Sequence, residues 1–421
     1  VQHHESIRVN LWGHTVGYLA LLDRGVVVFE YEKAFKKSGW EISPFELPLD
    51  TTGIYKSPET SSTFQTLPGI IADCLPDSYG KTVIEGFYQK EVGWLPPSIT
   101  VLDYLAYIGN RSIGALEFEP TVASQAPQHE HLEIQRLLDA ARKTLQGKAH
   151  DVLPDLLKIS ASAGGRQAKA LVDFNPRTQE LRSGLEEPRA DFIPCIIKFD
   201  GVRDGEEPNF YGRLEYVYTR LAERCGIQVP RVWLLEDDLE YGPAAHFIIE
   251  RYDRSLQKEK TVHCASLCGL LLRDFRQKHS CDYETYFGLV LHLTSDASQL
   301  EEAFRRAAFN IVFRNQDDHT KNFGFCMNPQ GVWRLAPAFD LNYVYGQGMA
   351  STHQMRFSGK DDDFTREDFT QVGKKFGIHS RKISKILKDM QEAAQDFENQ
   401  ARTAGLDEDF ARGIANRFRR F

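Results

Sequence analysis

The sequence predicts an α+β fold in which a strand-rich front half is followed by a helix-rich back half. Three observations carry this reading. Short β-branched and aromatic runs separated by turn residues fill much of the chain up to about residue 250. Beyond Arg254 the apolar residues recur at helical spacing. Within that helical half, one polar segment, Asn315 to Asn322, gathers Asp317, Asp318, His319, Lys321 and Asn322 between apolar flanks.

The elements follow in order. Ile7 to Trp12, Val16 to Ala20 and Val26 to Tyr31 alternate or cluster apolar residues and are separated by turn residues, so each reads as a strand. Thr66-Leu67-Pro68-Gly69 opens a helical region at Ile70 to Leu75. Pro76-Asp77-Ser78-Tyr79-Gly80 interrupts it before Lys81 to Gln89 resumes. Leu105 to Gly109 and Gly114 to Phe118 close a section read as mostly strand, and residues 1–120 are assigned to a β-rich N-terminal subdomain for binding or scaffolding.

A polar connector, Thr121 to His129, leads to an amphipathic helix near Leu132 to Leu145. The small-residue stretch from Ile159 to Lys169 then runs into the apolar Ala170-Leu171-Val172. Cys195 to Phe199 is a short strand carrying Lys198, and Arg213 to Cys225 is a helix carrying Glu215, ended by Gly226 and Pro230. His246 to Ile249 is a strand leaving into the charged Glu250-Arg251-Tyr252-Asp253-Arg254. Residues 121–254 are read as one lobe and 255–421 as a helical lobe. Helices of that second lobe are expected at Leu267 to Phe275, Tyr283 to Leu293, Leu300 to Phe313, Phe364 to Phe376, Ile383 to Phe397 and Phe410 to Phe418. Trp333-Arg334-Leu335 reads as a strand after the Asn328 to Gly331 turn, and Asp361 to Asp363 as a solvated turn before a helix capped near Thr365.

Composition bounds the function. The 421 residues are 42% hydrophobic and 26% charged, ordinary globular usage with enough apolar residues for a sizeable core. A net charge of −8 argues against tight, purely electrostatic binding of nucleic acid by this chain alone. No apolar run approaches the roughly 20 residues of a membrane span, and Val1 to Glu5 carries no signal-peptide pattern, so a cytoplasmic protein is expected. The seven cysteines are scattered among apolar neighbours and read as reduced core thiols. His263, Cys264, Cys268, His279 and Cys281 are not read as a zinc site, because Cys264 and Cys268 sit four apart in what looks like an apolar helical run.

The chemistry concentrates between Asn315 and Asp340. Phosphoryl transfer from ATP needs a carboxylate to act on the attacking hydroxyl, and an amide and a second carboxylate to hold Mg²⁺. Asp317, Asn322 five positions later and Asp340 beyond a turn meet that need. Three successive residues on an extended chain cannot all face one ion, which disfavours a metal hydrolase built on Asp317, Asp318 and His319. The glycines 164 and 165 would let backbone amides approach a phosphate, and Lys198 in its apolar strand needs an anionic partner, a phosphate or Glu215.

In this order the features resemble the HipA family of bacterial toxin serine/threonine kinases. The resemblance is carried by Leu67-Pro68 with Leu75-Pro76-Asp77, Gly114-Ala115-Leu116, Ser162 to Lys169, Ile197-Lys198, Glu250 to Arg254, Asn315 to Asn322 and Pro337-Ala338-Phe339-Asp340. It implies a protein-kinase-like two-lobed fold with an extra β-rich N-terminal subdomain and an all-α C-terminal lobe. Asp317 would be the catalytic base, Asn322 and Asp340 the Mg²⁺ ligands and Lys198 the ATP-phosphate lysine supported by Glu215. Ser162, Ala163, Gly164, Gly165 and Lys321 would surround ATP, the backbone of Glu250 and Tyr252 would meet adenine, and His319 would support the loop. It also implies autophosphorylation at Ser162 or Ser160, a HipB-type helix-turn-helix antitoxin, operator DNA reached through it, and a protein substrate such as an aminoacyl-tRNA synthetase. The segment from His263 to Leu267 departs from the family's more acidic pattern. Two other readings stand beside this one: a lipid or small-molecule kinase, and a catalytically silent partner of an antitoxin–DNA complex.

Overall fold

The computed structural model describes residues 3–122, 137, 140–141, 167–184, 189–200, 202, 210–239, 242–254, 261–346 and 348–421. Strands β1 (Ser6–Leu11), β2 (His14–Leu22), β3 (Val26–Tyr31) and β4 (Leu116–Glu119) form an antiparallel sheet in the order β3-β2-β1-β4. Leu11 pairs with His14 across Trp12 and Gly13, both at positive φ (49° and 78°), as a two-residue type I′ hairpin requires. The alternate residues Ile7, Val9 and Leu11 are buried beneath the helices α1 (Gly69–Ala72), α2 (Ser78–Val92) and α3 (Val101–Ile108). Leu105 to Ile108, inside a section expected to be mostly strand, is therefore helical. Thr100 and Asp103 form a capping box that starts α3, and that local bond pattern outweighs the β-branched composition.

The second sheet is built from β5 (Lys169–Asn175), β6 (Glu180–Ser183), β7 (Ile193–Lys198), β8 (Val232–Leu239) and β9 (Gly242–Glu250), in the order β6-β5-β7-β9-β8. On β7 the residues Ile193, Cys195 and Ile197 are buried while Lys198 is only partly so. Helix α4 (Tyr211–Arg224) packs on β9 and β8 through its apolar face. Of the helix expected near Leu132 to Leu145, Leu137, Ala140 and Ala141 are described; they are helical and buried in this lobe's core.

The C-terminal lobe holds α5 (Leu267–Leu271), α6 (Tyr283–Thr294), α7 (Ala297–Val312), α8 (Arg366–Lys375), α9 (Ser380–Gln395), α10 (Phe397–Thr403) and α11 (Glu408–Ala415). It also carries a small antiparallel sheet, β10 (His263–Ser266), β11 (Gly324–Met327) and β12 (Trp333–Leu335). Cys264 and Cys268 consequently do not share a helix. Cys264 pairs with Cys326 across β10 and β11, and Ser266 starts α5 by accepting a bond from the Gly269 amide at 3.0 Å. Thr365 begins α8 with a capping box to Asp368, as its position after the Asp361 to Asp363 turn predicted.

Two close contacts, among others, seat the N-terminal subdomain on the rest. A Cβ on Gly69 would fall 2.2 Å from the Gly269 carbonyl oxygen, so the close crossing of α1 and α5 needs glycine there. Asp253, buried after β9, accepts from Arg251 at 3.0 and 2.6 Å and from the Gly114 amide at 2.8 Å, while Arg254 donates to the Gly114 carbonyl at 2.8 Å. Two segments singled out separately in the sequence, Gly114 to Leu116 and Glu250 to Arg254, thus form one joint.

Candidate active site

The buried last turns of α7, with Phe309, Ile311 and Val312 in the core, deliver the chain rigidly to Arg314, whose φ of 56° breaks the helix. Asn315 then bonds back to Asn310 through Nδ2 at 2.9 Å, and the Gln316 amide donates to the Val344 carbonyl at 3.0 Å. The next two carboxylates part company, because successive side chains on extended backbone face opposite ways. Asp318 is fully buried and accepts from the Tyr283 hydroxyl and His353 Nδ1, both at 2.8 Å, and from the Gln354 amide at 2.7 Å. Asp317 is half exposed, its Oδ1 accepting from Gln354 Nε2 at 2.9 Å with His319 Nε2 3.8 Å away.

A short 3-10 turn over Thr320–Asn322 folds Asn322 back, so that its Nδ2 donates to the Asp317 carbonyl at 2.9 Å. The five-residue spacing read from the sequence therefore closes on itself. Asp340 leaves β12 with φ 57°, a left-handed conformation that costs a non-glycine residue roughly 1 kcal/mol or more and marks a constrained position. Lys198 Nζ lies between two carboxylates: it donates to Glu215 Oε1 at 2.5 Å and to Asp340 Oδ1. The strand lysine and the helix glutamate that the sequence paired are thus in contact, and Asp340 completes the cluster.

The electrostatics follow from burial opposed by pairing. Burial pushes the Glu215 carboxyl up to about 7 against the pull of Lys198. For Asp340 the burial penalty is outweighed by Lys198 and Lys169, which hold it below the usual carboxylate range. Lys198 is raised despite burial by Asp340 and Glu215. Asp317 is raised by burial, with His319 opposing and Asp340 and Asp318 adding to the rise.

The other expected site residues are dispersed. Lys321 Nζ lies over the Phe275 ring at 5.4 Å and its charge bears on Asp73 and Asp77 of the N-terminal subdomain. Glu250 spends its carboxylate on Arg231, at 2.8 and 2.7 Å, and its amide on the Arg231 carbonyl at 2.9 Å. Tyr252 stacks on Phe339, ring centroids 5.9 Å apart, beside Asp340. Ser160, Ser162, Ala163, Gly164 and Gly165 lie outside the described residues.

Sequence reasoning missed Asp318, His353 and Gln354 as part of this site, along with the buried pair of Lys169 and Asp77, 2.9 Å apart. Asp77 and Lys169 stood in separate motifs, and the only available signal was that each is a charge set among apolar residues. Among the described residues no group of three or more His, Cys, Asp or Glu is arranged around a metal position.

Comparison with known proteins gives the family and the fold. Residues 7–119 match the HipA N-terminal domain and residues 161–397 the HipA-like C-terminal domain. A protein of Haemophilus influenzae named a putative kinase is 25% identical over 255 residues, 54% of this chain and 73% of its own. The serine/threonine-protein kinase toxin HipA of Shewanella oneidensis is 24% identical over 335 residues, covering 74% of this chain and 68% of that protein. A solved complex of the Shewanella oneidensis HipA, HipB and operator DNA superposes with a TM-score of 0.66 at 18% identity, over 97% of this chain and 94% of that one, and so shares the fold. With both domain families matched in chain order, this chain belongs to the HipA family of kinases.

Proposed function

We propose that the chain is an ATP- and Mg²⁺-dependent serine/threonine protein kinase of toxin type. The observation that carries this reading is Lys198, held between Glu215 and Asp340. An ammonium shared by two carboxylates can keep the buried one and turn toward phosphate oxygens as the more exposed one takes up a cation. Asp340 and Asn322 offer carboxylate and amide oxygens, the hard donors that suit Mg²⁺ together with substrate phosphates. These two residues would hold it, and when bound it would neutralise charge on the phosphate oxygens.

The chain's own residues supply the rest. Glu215 keeps Lys198 aimed into the cleft. Asn322 braces the loop through the Asp317 carbonyl. The half-exposed Asp317 carboxylate receives the proton of a serine or threonine hydroxyl. Lys321 and the loop containing Ser162, Ala163, Gly164 and Gly165 belong to the ATP side of this proposal, with the backbone of Glu250 and Tyr252 at its adenine end.

The solved relative's assembly with HipB and operator DNA supports a HipB-type helix-turn-helix antitoxin as partner, and DNA reached through it. The net charge of −8 fits that division of labour. By family resemblance the substrate is a translation-related protein such as an aminoacyl-tRNA synthetase, in the cytoplasm. Incubation with γ-labelled ATP and a bacterial lysate tests the reading: a labelled protein band dependent on Mg²⁺ and lost in Asp317→Ala supports it. No transfer to any protein overturns it.

A further inference from the structure

His353 and Gln354 grip two adjacent carboxylates of the catalytic loop. His353 is fully buried, with Nδ1 2.8 Å from Asp318 Oδ2 and Nε2 2.9 Å from Arg419 Nη1. An arginine nitrogen only donates, so Nε2 is the acceptor and Nδ1 carries the proton toward Asp318. Arg419 is itself held by the Ile311 carbonyl at 2.8 Å and by Asp362, which ties the end of the chain to this point.

Gln354 is 5% exposed and fixed at both ends of its peptide unit. Its amide donates to Asp318 Oδ1 at 2.7 Å and its carbonyl accepts from the His279 amide at 2.8 Å. Its side chain makes one hydrogen bond among the described residues, from Nε2 to Asp317 Oδ1 at 2.9 Å. Among the described residues no hydrogen bond is made to the other oxygen, Oδ2. A carboxylate torsion is broad and roughly two-fold, so an unbraced Asp317 would sample many orientations.

We propose that Gln354 is a positioning residue for phosphoryl transfer: by occupying Asp317 Oδ1 it aims Oδ2 at the hydroxyl to be phosphorylated. This rests on the kinase reading above. Among the described residues Gln354 makes no hydrogen bond to Asn322, Asp340 or Lys198, so its effect falls on turnover and not on the nucleotide.

The test uses the full chain as wild type, Gln354→Met, which keeps length without a donor, and Gln354→Glu, which keeps shape but sets a second carboxylate against Asp317. Transfer from γ-labelled ATP gives kcat and KM, calorimetry gives the Kd of Mg-ATP, and thermal melting checks the fold. Gln354→Met should lower kcat about tenfold, the worth of one charge-assisted hydrogen bond. Gln354→Glu should lower it further. The Kd and KM for ATP should stay within about twofold, a split that loosened packing would not produce. The inference is overturned if kcat of a folded variant stays within twofold of wild type, or if ATP affinity falls in step with kcat. Absence of transfer from wild type would sink the kinase reading and this inference with it; active wild type with unchanged variants would sink this inference alone.

Discussion

Lys169 Nζ donates to Asp77 Oδ2 at 2.9 Å, two charges 92 residues apart with side chains only 3% and 6% exposed. Asp77 also caps α2 by accepting from the Gly80 amide at 2.7 Å, and Lys169 stands opposite Lys198 on the neighbouring strand. One carboxylate thus starts a helix of the N-terminal subdomain and neutralises a lysine paired in register with Lys198.

Asp77 serves two buried bonds at once, the ion pair with Lys169 and the cap of α2. Asp77→Ala should therefore destabilise the fold by about 3–5 kcal/mol, read as a lowered urea midpoint. Lys169→Met should cost less, because Asp77 keeps its helix-capping bond. A double-mutant cycle should show coupling of more than about 1 kcal/mol; additive effects would remove the pair's role.

His263 sets a pH dependence. It is fully buried, bonded through Nε2 to the Ile42 carbonyl at 3.1 Å, and burial pushes its pKa down to about 4. The unfolded chain would protonate near 6.5, so below that pH it binds a proton the folded chain refuses. Stability should fall as pH drops from about 6.5 to about 4, by up to about 3 kcal/mol. Urea melts of wild type and His263→Phe at pH 7 and pH 5 isolate the effect, since Glu46 and Glu215, raised to about 7, titrate alike in both proteins. Equal slopes in the two proteins would clear His263 of any part in it.

The two carboxylates of the site should fail differently. Asp317→Ala should cut transfer by about 10² to 10⁴ with Mg-ATP affinity nearly unchanged. Asp340→Ala should weaken Mg-ATP binding, because it deletes a proposed cation ligand and the second partner of Lys198. Calorimetry beside labelled-ATP kinetics separates the two, and an Asp317→Ala enzyme with wild-type rates would refute the assignment.

Self-phosphorylation should appear on the peptide holding Ser160 and Ser162. A phosphoserine adds about −1.5 to −2 charges, which would compete with ATP phosphates for the same amides and cations and lower activity. Intact-mass spectrometry of protein prepared without phosphatase should find one or two phosphates on wild type and none on Asp317→Ala. Equal phosphate on both would assign the modification to another kinase.

What the sequence by itself determined lies within short reach of the chain. The spacing of Asp317 and Asn322 closes through one turn, the Asn328 to Gly331 turn joins β11 to β12, and Thr365 announces α8, because each depends on neighbours a few residues away. Lys198 and Glu215 were also legible, since a charge on an apolar strand needs a partner and few candidates lay near. Only the tertiary structure decided which of Asp317 and Asp318 would be buried, through Tyr283 and His353, each 35 residues from Asp318. It likewise decided that Cys264 is a strand residue, through its pairing with Cys326, and that Asp77 answers Lys169. An apolar run reads the same in strand or helix, and a buried charge is silent about its partner until folding removes the water that would otherwise have satisfied it.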